Sequence, residues 1–388
     1  MRLLFVTDPL EARSAFANVT YNLMKDEKDF YLGVYKDIKY FFISHKEFEG
    51  RKYTQVDIPA FAKDENLYDF INDNFDVLIH FKNVFIYDYQ YHYGLKLAFD
   101  PRKVDVKKIQ YEPAENDWYP INWRRLLNMF DIVWFTNNYV REKVKIEVPS
   151  YTLYHGVDLD TFRKEKEWEE REYDFCTVQT NDLRKYFPIL IHLAKEIKKK
   201  FYLHITGSVR PYHLGDWLST LNEDIPKELF YTSTWKEKEY VHENVVLNLK
   251  KVTHKEMAKL YNECKVYVDL AMSEGFGVPK LEASACGATV VTMDTPVNRE
   301  IMRGDAYYVK SYRNLPQPHG VMWWTVDIND LKKKMLKALE KPIEGNVKRY
   351  DWNLIRKRFR KLLKLGAKGE ESLQGERKSG QRNVRKMG

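Results

Sequence analysis

Short apolar strands alternate with amphipathic helices along this chain, and the alternation runs twice. Apolar runs at residues 3–7, 30–35, 40–44, 77–81, 108–111 and 132–136 read as strands. Phe16, Val19, Leu23 and Met24 fall on one face of a helix between the first two, and residues 118–129 read as another helix. A second series begins near Tyr173. It has strands at 175–178, 202–206, 245–249, 266–270 and 289–292, and helices at 186–199, 254–262 and from Pro279. A strand that must pair in parallel with its predecessor needs a crossover, normally a helix on the sheet face. Two such series therefore predict an α/β chain of two doubly wound domains.

Composition bounds the rest. The 388 residues suit two domains, with 44% hydrophobic and 31% charged residues, which is globular. We place the first domain at 1–157 and a charged linker of little apolar periodicity at 158–172. The second domain follows at 173–347, ending in a helix over about 327–339 that Pro342 and Gly345 break. A final basic helix, within 348–365, lines Ile355, Phe359, Leu362 and Leu363 along one face. Residues 366–388 read as a disordered basic tail. Residues 348–388 hold fourteen Lys and Arg against four Asp and Glu, so the first 347 residues carry −2 of the total +8. A protein coated in positive charge for nucleic acid is thus excluded, and nucleic acid is not the expected partner.

Cys176, Cys264 and Cys286 include no C-x-x-C pair, which excludes a zinc ribbon or thioredoxin motif. Each sits in an apolar run, so all three read as buried thiols in a reducing compartment. No stretch approaches the roughly 18 apolar residues of a membrane span. The expected location is cytoplasmic, with peripheral contact at a membrane surface open to the basic C-terminus.

The most informative segment is Ser273-Glu274-Gly275-Phe276-Gly277-Val278-Pro279-Lys280-Leu281-Glu282-Ala283. A strand ends, a loop with two glycines follows, and a helix opens with Pro279 in its first turn. Backbone N–H groups at such a helix start favour an anion, and Lys280 adds a cation. Glu274 and Glu282 flank the device, and a carboxylate can accept from two adjacent sugar hydroxyls. The layout suits a nucleoside diphosphate bearing a sugar. A plain strand–helix turn with two solvated glutamates fits the spacing equally well.

The segment resembles the Glu-x7-Glu motif of the retaining family 4 (group 1) glycosyltransferases of GT-B fold. The Phe-Gly, the Glu-Ala and the Ala-Cys-Gly before an apolar strand also match, as does Arg299-Glu300-Ile301 downstream. Leu153-Tyr154-His155-Gly156-Val157-Asp158 is similar to the family's Asn-Gly-Val-Asp junction, with His155 in place of Asn. Arg184-Lys185 resembles its Arg-Lys pair, although Val178-Gln179 stands where many members have Gly-Arg. Tyr350-Asp351-Trp352 and the helix after it resemble the segment that crosses back onto the first domain. Ser14-Ala15-Phe16-Ala17-Asn18-Val19-Thr20 looks like the loop and helix of one branch, with both glycines replaced by alanine. Residues 109–115, ending in Glu115, are similar to another segment of that branch.

The resemblance implies two Rossmann-like domains facing across a cleft. It implies transfer from a nucleotide-diphosphate sugar, a UDP- or GDP-sugar first, as co-substrate, with no other cofactor. The acceptor is unknown: a glycan, a lipid-linked sugar or a protein. Arg184, Lys185, Gly275, Phe276, Gly277, Lys280 and Glu282 are the donor-binding candidates. Glu274 and His80 are the catalytic candidates, and Ser14, Asn18 and Glu115 lie on the acceptor or sugar side. His80, at a strand end, and Glu115 read equally well as structural residues, and His155 reads as structural. Asp158-Leu159-Asp160 has the form of the acid pair that holds a metal in the other common glycosyltransferase fold. It lies inside the junction element, however, and no metal is expected. The competing readings are a nucleic-acid-binding protein working through its basic C-terminus, a glycosyltransferase acting on nucleic acid, and a GT-B sugar-nucleotide epimerase.

Overall fold

The computed structural model describes residues 1–12, 14–84, 99–115, 118–208, 217, 219, 239–317 and 321–365. The tail at 366–388 lies outside the described residues.

The first domain is an eight-stranded sheet. Its strands are β1 (Leu3–Val6), β2 (Tyr31–Lys36), β3 (Phe42–Phe48), β4 (Arg51–Pro59), β5 (Val77–His80), β6 (Lys107–Glu112), β7 (Ile132–Phe135) and β8 (Ser150–Thr152). The order is β3-β4-β2-β1-β5-β6-β7-β8, and every pairing is parallel except β3 with β4. Its helices are α1 (Ala15–Met24), α2 (Glu65–Asn74), α3 (Ile121–Leu127) and α4 (Asn138–Lys143). Chain order reverses between β1 and β5, with Val6 opposite His80, so a crevice opens beyond these two strands.

The second domain is a seven-stranded sheet of β9 (Tyr173–Asn181), β10 (Phe201–Ser208), β11 (Glu239–His242), β12 (Val245–Asn248), β13 (Cys264–Asp269), β14 (Thr289–Met293) and β15 (Tyr307–Val309). The order is β11-β12-β10-β9-β13-β14-β15, with the reversal between β9 and β13. Helices α5 (Pro188–Ile197), α6 (His254–Asn262), α7 (Val278–Ala285), α8 (Pro296–Met302) and α9 (Ile328–Glu340) accompany it. A two-stranded hairpin, β16 (Ser311–Pro316) and β17 (Met322–Val326), docks on the β13–α7 loop, where the Trp324 amide donates to the Met272 carbonyl at 2.9 Å. Central strands such as β1 and β14 are buried along their whole length, as parallel strands covered on both faces must be.

The final helix, α10 (Trp352–Leu365), belongs to the first domain. Trp352, Ile355, Phe359, Leu362 and Leu363 are buried in one cluster with Leu3, Phe5, Leu23 and Trp134. Each such side chain contributes about 2 kcal/mol of apolar burial. Its basic face is partly engaged: Arg356 pairs with Asp26 at 3.1 Å, and Arg360 with Asp26 and Glu27 at 3.3 Å each. The chain thus passes between domains twice, and the passages lie side by side. Val157 pairs with Asp351 in a parallel bridge, and its amide donates to the Tyr350 carbonyl at 2.7 Å. Gly156 leaves room for this, since a Cβ there would fall 2.3 Å from the Trp352 ring.

The cysteines correct the sequence reading. Cys176 and Cys264 are joined as a disulfide, and Cys286 alone is a free buried thiol. The two partners are 88 residues apart, but they lie on the adjacent strands β9 and β13 with Cα atoms 6.0 Å apart. Short-range spacing carries no sign of such a pair.

Candidate active site

The loop from β13 to α7 sits where chain order reverses in the second sheet, the place where open α/β sheets bind ligands. Gly277 takes φ +80°, and a Cβ on it would fall 2.2 Å from the Lys280 ammonium. Both facts demand glycine. Lys280 is fully buried, and its ammonium bonds Asp269 at 3.1 Å and Asn298 at 2.7 Å. The cation is therefore pinned beneath the loop, out of solvent. Phe276 is a buried plug packed on His155, Tyr154 and Tyr350 at ring distances of 5.1, 6.0 and 5.3 Å. Gly275 has another reason to be glycine: its Cβ would stand 1.8 Å from the Pro113 carbonyl oxygen of the first domain.

Glu274 meets both cations of the other loop. Lys185 makes a close ion pair with its carboxylate, and the Arg184 guanidinium lies 3.6 Å from it. Burial alone would raise the Glu274 carboxyl, but Lys185, Arg184 and Lys280 together hold it down at about 2. Arg184 also reaches Glu115 at 3.7 Å and donates to the Ser273 carbonyl at 2.5 Å. The cations are presented by a short 3-10 turn, Leu183–Lys185, which Asp182 caps and left-handed Tyr186 (φ 48°) ends. A non-glycine residue held at such an angle is strained, as residues at ligand sites often are.

Glu282 stands on α7, where the Tyr261 hydroxyl donates to it at 3.3 Å. Burial, with Asp158 adding like charge against the Tyr261 bond, pushes its carboxyl up to about 7. Asp158 accepts from the Asp160 and Thr161 amides and from the Thr161 hydroxyl, so it closes its own turn.

The first-domain candidates divide. Glu115 joins the cation cluster, and its carbonyl accepts from the Ser273 hydroxyl at 2.5 Å. Ser14 caps α1 by accepting from the Ala17 amide and donates to Asp8 at 2.5 Å. Asn18 follows on the same helix, half-buried. His80 is wholly buried, with its ring nitrogens on Gln110 (2.8 Å) and Tyr35 (3.3 Å), and burial drives it down to about 3. It is a neutral core histidine in a polar chain that continues through Gln110 to Glu112, not a cleft residue.

Several residues at the site belong to no sequence motif. Asp8 and Lys82 follow β1 and β5 at the reversal and form an ion pair. Their place just beyond strand ends was the available signal. Tyr139, Thr295, Met322 and Trp324 line a narrow cavity of about 20 Å³ between the domains together with Glu115 and Glu274. Glu300, on α8, accepts from the Asn138 and Tyr139 amides at 2.7 and 2.8 Å and from the Tyr154 hydroxyl at 2.8 Å. It caps a helix of the other domain.

The family model described as glycosyl transferases group 1 matches residues 158–359, just over half of the chain. The chain belongs to the group 1 glycosyltransferases. Comparison with curated protein sequences gives no match. Among solved structures, this group 1 glycosyltransferase is similar to an α,α-trehalose-phosphate synthase (UDP-forming) from Burkholderia xenovorans in complex with glucose-6-phosphate. The TM-score is 0.62 and the identity 11%, over 94% of this chain and 100% of that one. A trehalose-6-phosphate synthase from Burkholderia multivorans gives 0.63 and 10%, over 94% and 99%. A sucrose-phosphate synthase from Thermosynechococcus elongatus gives 0.59 and 13%, over 94% and 98%. At these identities the likeness is one of fold, and the fold of this group 1 glycosyltransferase is GT-B. No helix among its described residues is long and apolar enough to cross a membrane.

Proposed function

We propose that the chain moves a sugar from a nucleotide-diphosphate sugar to an acceptor hydroxyl, with retention at the anomeric carbon and without a metal ion. The observation that carries this reading is the meeting of Arg184, Lys185 and Glu274 at the glycine turn that opens α7. Two cations and a helix start there can neutralise a diphosphate in the ground state and as it leaves. Glu282 holds the ribose hydroxyls and Glu274 the hydroxyls of the donor sugar. The bond from the anomeric carbon to the diphosphate oxygen breaks, and the bond to the acceptor oxygen forms on the same face. The acceptor proton passes to the departing phosphate oxygen, so no protein nucleophile is needed. Rate comes from orientation and from charge stabilisation at an oxocarbenium-like transition state. Acceptor and sugar would meet where Glu115, Glu274 and Trp324 face one another, and the narrow cavity there, about one water wide, must open to admit them. The UDP-forming trehalose-phosphate synthase neighbour, solved with glucose-6-phosphate, makes a UDP-sugar and glucose-6-phosphate the first pair to try.

A thermal-shift panel of UDP-, GDP- and ADP-sugars selects the donor, since stabilisation grows as RT ln(1 + [L]/Kd). Glu282→Ala should then weaken nucleotide binding about tenfold, the worth of one charge-assisted hydrogen bond or two. Unchanged affinity would overturn the ribose role. Mass spectrometry of the incubation separates transfer product from epimerised donor.

A further inference from the structure

The two cations of the diphosphate seat already have partners. Lys185 is bound to Glu274, and Arg184 stands between Glu274 and Glu115. The four side chains are 13–27% exposed, so water screens them little. Two positive and two negative charges in contact leave almost no net field to attract a third anion. A diphosphate set beside Lys185 meets the Glu274 carboxylate on the same ammonium, and two such anions repel. Glu274 must give up Lys185, and its charge then needs new donors. Free pyrophosphate brings none, and the ribose hydroxyls of a bare nucleotide are taken by Glu282 in this reading. A sugar on the diphosphate brings several hydroxyls, each able to donate to a carboxylate.

We propose that Glu274 is the specificity gate of the donor site: it competes with the diphosphate for Lys185 and Arg184, so that the site takes a sugar-bearing diphosphate in preference to the bare one. This rests on the reading that Arg184 and Lys185 seat the diphosphate. The gate sets a difference of affinities by penalising the wrong ligand. It also speeds release of the product, because the nucleoside diphosphate left after transfer has lost the hydroxyls that held Glu274 aside.

The test is calorimetric titration of the full chain with inorganic pyrophosphate in metal-free buffer. This probe has neither base nor sugar, so donor identity does not enter. Glu274→Gln should bind pyrophosphate about tenfold more tightly than the wild type, since one competing charge is gone. The nucleotide-sugar chosen by the melting panel should gain nothing or lose affinity, which collapses the preference. Glu115→Gln, which frees the other side of Arg184, should gain about threefold and serves if Glu274→Gln folds poorly. Pyrophosphate binding no tighter in either variant overturns the gate. Lys185→Ala separates the two levels. Lost pyrophosphate affinity there keeps the seat whatever becomes of the gate, and unchanged affinity removes the seat and the proposed function with it.

Discussion

The Asn137 carboxamide, on the first domain, donates to the carbonyl of Gly275, on the second, at 2.8 Å. The Thr136 hydroxyl donates to the same oxygen at 3.2 Å, and Ser273 bonds the Glu115 carbonyl. Glu274 is thus bracketed on both sides by side-chain-to-carbonyl bonds between the domains. The carboxamide oxygen of Asn137 accepts from the Val140 amide at 2.7 Å and caps α4. Asn137→Asp keeps that cap but turns an acceptor toward the Gly275 carbonyl. It should lower the melting temperature, because a buried carboxylate then faces a carbonyl with no donor between them, and it should lower kcat of the folded protein by about tenfold to a hundredfold, since a small misplacement of reacting groups costs that much. Unchanged kcat measured well below the melting transition would leave the bond a structural role alone. Gly275→Ala, whose methyl would press on Pro113, should widen the interdomain spacing seen by small-angle scattering.

Glu300 is the second latch. Its carboxylate takes the first free amides of α4 and the Tyr154 hydroxyl from across the boundary. Glu300→Ala leaves these donors half-buried without an acceptor and should cost about 2–4 kcal/mol in urea unfolding. Glu300→Gln should cost less, since one oxygen still accepts.

Nucleotide-sugar binding should depend on pH through Glu282. Its carboxyl is raised to about 7, so at lower pH it is protonated and a poorer acceptor for ribose hydroxyls. Both phosphates of a nucleotide-sugar are esterified and do not titrate in that range. Affinity should therefore rise from about pH 5.5 to about pH 8.5, and the rise should vanish in Glu282→Gln. A flat wild-type profile would exclude the ribose role for an ionised Glu282.

Glu112 should make the fold less stable as pH rises. Burial raises its carboxyl to about 7, against hydrogen bonds from Tyr119, Gln110 and the Val84 amide. The folded chain keeps the proton up to that value, whereas the unfolded chain releases it near the ordinary 4.5. Stability should fall between about pH 4.5 and about pH 7 and level off above. In Glu112→Gln the urea midpoint should change less over that interval.

The buried parallel strands were readable because their apolar runs are unbroken, as in Leu3–Val6 and Thr289–Met293. The nine-residue β4 and the strand β16 were not, since polar residues interrupt them and leave no unbroken apolar run. At the site, Glu274 and Glu282 announce themselves by spacing, and Arg184-Lys185 by adjacency after a strand. What spacing cannot carry is contact between domains. Gly275 reads as a phosphate-loop glycine, yet Pro113, 162 residues earlier in the numbering, leaves no room for a side chain there. His80 and His155 show the same limit, because both are buried and only packing tells what each nitrogen meets. His80 has two partners, whereas the Nε2 of His155 has none among the described residues.

The paired passage of the chain at Val157 and Asp351 has a mechanical meaning. Two crossings fastened to each other leave the domains less freedom than two separate linkers would, because sliding one crossing along the other would shear the bond between the Val157 amide and the Tyr350 carbonyl. The same fastening favours one register for the contacts of Asn137 with Gly275 and of Glu300 with α4.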